Sequence, residues 1–233
     1  MREKLVMTLF GLGALTLISL SANAQNILGR SVKVAQTPAA IATTPQDTAD
    51  VGSVTGSTYA NKYFGLTLTI PAGWNVQGSS TKQLIKEKGK ELVTSDDPNK
   101  QADLNRAIEN TLNLLTITQY PIGEAGKFNS MFICGAERVP TGVTTDADYL
   151  LSLKNTLKYS QIPITMERDV YAEQIGGTAF SVIDFKSKYP AGIVIQKYYG
   201  HLMKGYALFF ILIYQTDEQL KTQTEILKSV TLR

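Results

Sequence analysis

The chain has 233 residues, a single cysteine, a single histidine and a formal net charge of +3. So small a charge leaves no electrostatic footprint for nucleic acid or for an anionic membrane surface. One cysteine excludes an internal disulfide, so an exported form must be held together by its core.

Residues 1–24 read as a secretory signal peptide. Arg2 and Lys4 give a positive start, an uncharged apolar stretch runs from Leu5 to Leu20, and Ala22, Asn23 and Ala24 form a small-residue cleavage site. The apolar stretch is shorter than the roughly 20 residues of a membrane span. Cleavage before Gln25 removes Arg2, Lys4 and Glu3 and lowers the net charge to +2. No later segment has the length and apolarity of a span, so none is expected after cleavage, and the expected location is periplasmic or secreted. Residues 25–58 are poor in large apolar residues, show no periodicity, and carry Pro38 and Pro45. They read as a flexible linker. The folded domain is expected over residues 59–233, long enough to bury roughly 70% of its unfolded surface.

Phe64, Leu66, Leu68 and Ile70 alternate with Thr67 and Thr69, which predicts a half-buried strand. Pro71 and Gly73 end it in a turn, and Trp74 is expected to pack the strand end down. Residues 79–115 read as two helices. Ser80 and Gln83 have capping-box spacing before a lysine-rich helix expected to be exposed. Asp97 and Pro98 open the second, with Leu104, Ile108, Leu112 and Leu115 as its apolar stripe. Strands are predicted at 113–120 and 128–139, joined by a turn at 121–126. Thr145 and Asp148 box a helix with Leu150, Leu153 and Leu157 on its inner face. Short and long strands follow at 162–169, 178–187 and 192–203, with a turn at Gly176 and Gly177. Thr216 and Gln219 cap a last helix, packed by Leu220, Leu227 and Val230.

The run at 205–215 organises the whole. It is aromatic and β-branched and does not alternate, so both faces of a central strand should be covered. A two-residue turn at Lys204 and Gly205 sets the hairpin register: Met203 faces Tyr206, His201 faces Leu208, and Tyr199 faces Phe210. Tyr199, His201, Met203, Tyr206, Leu208 and Phe210 then share one side of the sheet. Tyr198, Leu202, Ala207, Phe209 and Ile211 share the other.

The opening Phe-Gly-Leu-Thr-Leu-Thr-Ile-Pro-Ala-Gly-Trp at 64–74 resembles that of PsbP-like domains. So does the ending, from Tyr198 and Tyr199 through the 206–214 strand to Thr216, Asp217 and Glu218 and a closing helix. The resemblance implies an α+β single domain, an antiparallel sheet sandwiched between helices. It also implies a binding or assembly role, since members of that superfamily share a scaffold and not a chemistry.

The sequence has no Gly-rich phosphate loop, no HExxH and no CxxC. No cofactor and no metal site is expected. A nucleophile–base pair would have to be Cys134 with His201, and a buried Asp184 would need a cationic partner, Lys186 or Lys197 by strand position. Tyrosines 189, 198, 199, 206 and 214 suit a surface that is half apolar and half wet. Tyr198, Tyr199, His201 and Trp74 are the candidate ligand-binding residues. Three functions are carried forward. The first is an exported non-catalytic binding or accessory protein of the cell envelope, with a protein or small-molecule partner. The second is an enzyme using Cys134, His201 and Asp184, which requires those side chains to converge. The third is a structural component of an envelope assembly.

Overall fold

A computed structural model describes residues 50–92, 94–122, 128–139, 142–157, 164–189 and 192–233. The expected leader, residues 1–24, and residues 25–49 of the expected linker lie outside them. In chain order the elements are β1 (Ser53–Thr55), β2 (Thr58–Asn61), β3 (Leu66–Thr69), β4 (Asn75–Val76), α1 (Ser79–Leu92), α2 (Pro98–Asn110), β5 (Thr111–Thr118), β6 (Met131–Arg138), α3 (Asp146–Leu157), β7 (Ile164–Met166), β8 (Tyr171–Ile175), β9 (Thr178–Tyr189), β10 (Gly192–Met203), β11 (Tyr206–Tyr214), α4 (Asp217–Lys228) and β12 (Thr231–Leu232).

The apolar run is β11, buried along its whole length. It lies fourth in an antiparallel sheet of order β4-β5-β6-β11-β10-β9-β7, with β8 also paired to β9. The hairpin register is the one the turn predicts: Met203 opposes Tyr206, His201 opposes Leu208, and Tyr199 opposes Phe210. Lys204 and Gly205 both take positive φ, 50° and 76°. That conformation matches the twist of the flanking strands.

Two cores lie against the two faces of this sheet. On one, Ile85 of α1, Leu104 and Ile108 of α2, and Tyr149, Leu150 and Leu153 of α3 pack onto Tyr198, Phe209 and Ile211. On the other, Leu66 and Leu68 of β3 and Ile226 and Leu227 of α4 pack onto Tyr199, Leu208 and Phe210. The architecture is α+β, one antiparallel sheet with helices on both sides. The second side also carries a small sheet of order β1-β2-β3-β12, which the sequence pattern does not reveal.

Several expectations need correction. The ordered domain starts before residue 59: β1 pairs with β2, the Tyr59 hydroxyl donates to Val51 O at 2.9 Å, and Asn61 Nδ2 donates to Asp50 O at 2.5 Å. β1 reads Ser-Val-Thr, wholly exposed, so it carries no alternation to find. The second helix ends at Asn110, and Leu112 and Leu115 belong to β5. Their spacing continues the helical stripe only by coincidence: Leu104 and Ile108 pack into the core under α1, α2 and α3, whereas Leu112 and Leu115 pack into the core on the opposite face of the sheet. Ser80 sits inside α1, which begins at Ser79, and Gln83 donates to Glu87 instead of closing a box. The strand expected at 162–169 is only β7, and residues 162–163 are not described. β8 was not anticipated. Most of the expected 121–126 turn also lies outside the described residues.

The other caps form as read. Asn99 N donates to Asp97 Oδ1 at 2.9 Å, Thr145 and Asp148 exchange bonds of 3.1 Å, and Thr216 and Gln219 make a full capping box.

The lysine-rich α1 is not simply a solvated face. Lys82 Nζ donates to Asn113 O at 3.2 Å and to Leu114 O at 3.0 Å. These carbonyls sit at the β-bulge where the β5–β6 register shifts. With β4 on Ile117 and Thr118, and Gln77 N on Thr116 O, Lys82 closes the outer edge of β5.

Candidate functional site: a bulged edge and its cleft

The opposite edge of the large sheet is built differently. β7 pairs Met166 with Phe185, and β8 pairs Tyr171 with Val182. Four residues, 167–170, therefore stand opposite two, Ile183 and Asp184. The surplus forms a wide bulge, a device that re-aims side chains at a sheet rim.

Its Arg168 folds back over the sheet. The guanidinium donates to Asp184 Oδ2 through Nε at 3.2 Å and Nη2 at 3.0 Å, and lies 3.3 Å from the centroid of the Tyr171 ring. The Tyr171 hydroxyl donates to the same Oδ2 at 3.0 Å. The expected cationic partner of Asp184 is thus replaced. Lys197 stands opposite Asp184 in the register, but its Nζ goes to Glu173 Oε1 at 2.6 Å. Lys186 pairs with Glu167. Glu173 Oε2 also accepts from the Tyr199 hydroxyl at 2.9 Å. Burial works against the Glu173 carboxylate, but hydrogen bonds from Lys197 and Tyr199 outweigh it and hold its pKa below the usual range. Burial beside Asp184 and Glu173 pushes the Tyr171 and Tyr199 hydroxyls far above theirs.

On the helical side of the bulge lies a cleft of about 520 Å³, within the size range of small-ligand sites. Ile164, Met166 and Phe185 supply its apolar lining; Lys154 from α3 and Glu167, Arg168 and Asp169 from the bulge supply the charges.

The residues singled out from sequence do not gather here. Tyr198 and Tyr199 are buried on opposite faces of the sheet, and Tyr198 donates to Gln196 at 2.8 Å. Trp74 is half-buried against the small-sheet core. His201 Nδ1 lies 3.0 Å from Asp146 Oδ2, and Asp146 Oδ1 accepts from Leu202 N at 2.7 Å. That carboxylate takes the place of a strand partner where the β9–β10 pairing stops at Gly200.

Cys134, His201 and Asp184 do not converge either. Cys134 and His201 lie on β6 and β10 with β11 between them, roughly 10 Å apart in the pairing direction alone. Asp184 stands opposite Lys197, four residues along β10 from His201, or roughly 13 Å. Among the described residues no group of three or more His, Cys, Asp or Glu is placed to hold a metal ion, and no helix is long and apolar enough to cross a membrane.

Arg168, Tyr171, Glu173 and Lys154 were missed by the sequence reading. The one available signal was the polar run Glu167-Arg168-Asp169 between two apolar strand positions.

Fold and edge together define a single α+β domain with one sealed and one bulged sheet edge. No protein-family model matches the sequence, and comparison with curated proteins finds no match. Solved structures do resemble it. The cyanobacterial PsbP (CyanoP) of Synechocystis sp. PCC 6803 is 12% identical, with a TM-score of 0.45, over 78% of this chain and 96% of that one. LpqN of Mycobacterium tuberculosis, involved in cell envelope biogenesis, is 16% identical, with a TM-score of 0.40, over 72% and 82%. PA94 of Pseudomonas aeruginosa, a protein of unknown function, is 12% identical, with a TM-score of 0.38, over 76% and 96%.

Proposed function

We propose that this chain is an exported binding or accessory protein of the cell envelope, without catalysis of its own, and that its ligand sits in the cleft beside the 167–170 bulge. The observation that carries the reading is that cleft: an apolar lining with a charged rim, at a sheet edge on which, among the described residues, no further strand pairs, while the far edge is sealed. The leader pattern of residues 1–24 supports export. The engagement of Cys134, His201 and Asp184 in packing, a strand cap and an ion pair supports a binding role over an enzymatic one.

The test is native mass spectrometry of the mature protein after incubation with envelope extract from its own organism. Wild type should carry a bound mass that a Met166→Lys variant, equally folded by thermal melting, does not. A wild-type spectrum free of any adduct, or an adduct unchanged by the substitution, overturns the proposal.

A further inference from the structure

We infer that the cleft takes a single-chain amphiphile with one anionic head, a carboxylate or a phosphate monoester, and that Lys154 receives the head; this rests on the cleft being the ligand site proposed above. The inference comes from tracing each charge around the cleft. Glu167 is neutralised by Lys186, and Arg168 by Asp184. Asp169 stands exposed on the rim, where water solvates it. Lys154 is different. It is half-buried in the last turn of α3, faces the cleft, and makes no hydrogen bond or ion pair with another described residue.

An unpaired ammonium beside an apolar floor selects for a negative charge. As a point charge on a flexible stem, it accepts a carboxylate or a phosphate without demanding planar geometry. Ile164 and Met166 alternate onto one face of β7, and Met166 opposes Phe185 in the register. They offer a strip of apolar surface on which an alkyl chain loses contact with water. The competing account is that Lys154 merely covers this strip with its own methylenes and reaches solvent with its head.

Nuclear magnetic resonance on isotope-labelled methionine methyls separates the two, with the Met166 resonance as the reporter. The probes are dodecanoate, dodecyl phosphate, dodecyltrimethylammonium and acetate, all below micelle formation. Both anionic amphiphiles should shift Met166 saturably, and acetate should not. Lys154→Glu should weaken the anionic amphiphiles by about tenfold or more and improve the cationic one, a change worth at least one charge contact. Lys154→Met, which keeps the stem, should abolish discrimination between anion and cation while retaining chain binding. If the cation binds wild type as well as dodecanoate does, or Lys154→Glu leaves dodecanoate unaffected, the anionic head is refuted while the cleft stands. If no amphiphile moves Met166 but the envelope-extract adduct persists, the amphiphile itself is refuted. If the adduct is also missing, the binding role falls with it.

Discussion

The Cys134 thiol stands opposite Leu115 of β5 and Phe210 of β11, fully buried, and burial pushes its pKa far above the ordinary thiol value. A thiolate is the reactive form, so this cysteine behaves as a small hydrophobe. Iodoacetamide should leave it unlabelled in the native protein and label it fully in denaturing urea; labelling at the rate of a free thiol under native conditions would contradict the structure. Cys134→Ser should cost about 1–3 kcal/mol in denaturant unfolding, because a hydroxyl replaces sulfur where water is excluded. The packing of Cys134 is in keeping with the apolar run Met131, Phe132 and Ile133 that precedes it in the sequence. The partner of Asp184 was not legible in the same way. Counting along paired strands pointed to Lys186 and Lys197, whereas Arg168 arrives from a bulge whose surplus residues follow from the combined pairing of β7 and β8 with β9. No local pattern encodes that offset.

At the level of elements, β11 and β6 meet through an unusually close contact. Gly135 opposes Phe209, and the Phe209 ring lies where a Cβ on Gly135 would project; that Cβ would also come within 2.9 Å of Leu112 O. A ring laid over a strand glycine restores the packing that the missing side chain would have supplied. Gly135→Ala should therefore destabilise the domain by about 1–3 kcal/mol through overpacking, and Phe209→Leu in the same chain should recover part of the loss. Additive effects of the two substitutions in a denaturant titration would show that they do not share this space. Elements with strong alternation or complete caps were legible: the 203/206 hairpin, α3 with its Thr145–Asp148 box, and α4. The α2–β5 junction was not, because Leu104, Ile108, Leu112 and Leu115 keep helical spacing across a change of backbone. Thr111 marks the true end, its hydroxyl donating to Ala107 O at 2.9 Å.

For the molecule as a whole, the N-terminal limit of the fold decides what a minimal domain contains. A chain beginning at residue 50 keeps β1, the Tyr59–Val51 bond and the Asn61–Asp50 bond. One beginning at residue 58 loses all three and should be less stable by about 1–3 kcal/mol, read as a lower midpoint in urea. Equal midpoints would mean that residues 50–57 are ornamental. The central, doubly covered position of β11 followed from its unbroken apolar composition. The small sheet did not, since its outer strand is exposed and its last strand, β12, spans two residues.

The contrast between the two flanks of the large sheet carries a consequence for self-association. Lys82, β4 and Gln77 occupy the carbonyls and amides on the β5 side, whereas among the described residues no strand pairs with the outer side of β8. Growth of a β-fibre needs a donor flank and an acceptor flank on every copy. A molecule with one flank blocked can add a strand once and then has nothing left to offer, so edge-on stacking through this sheet terminates at a pair.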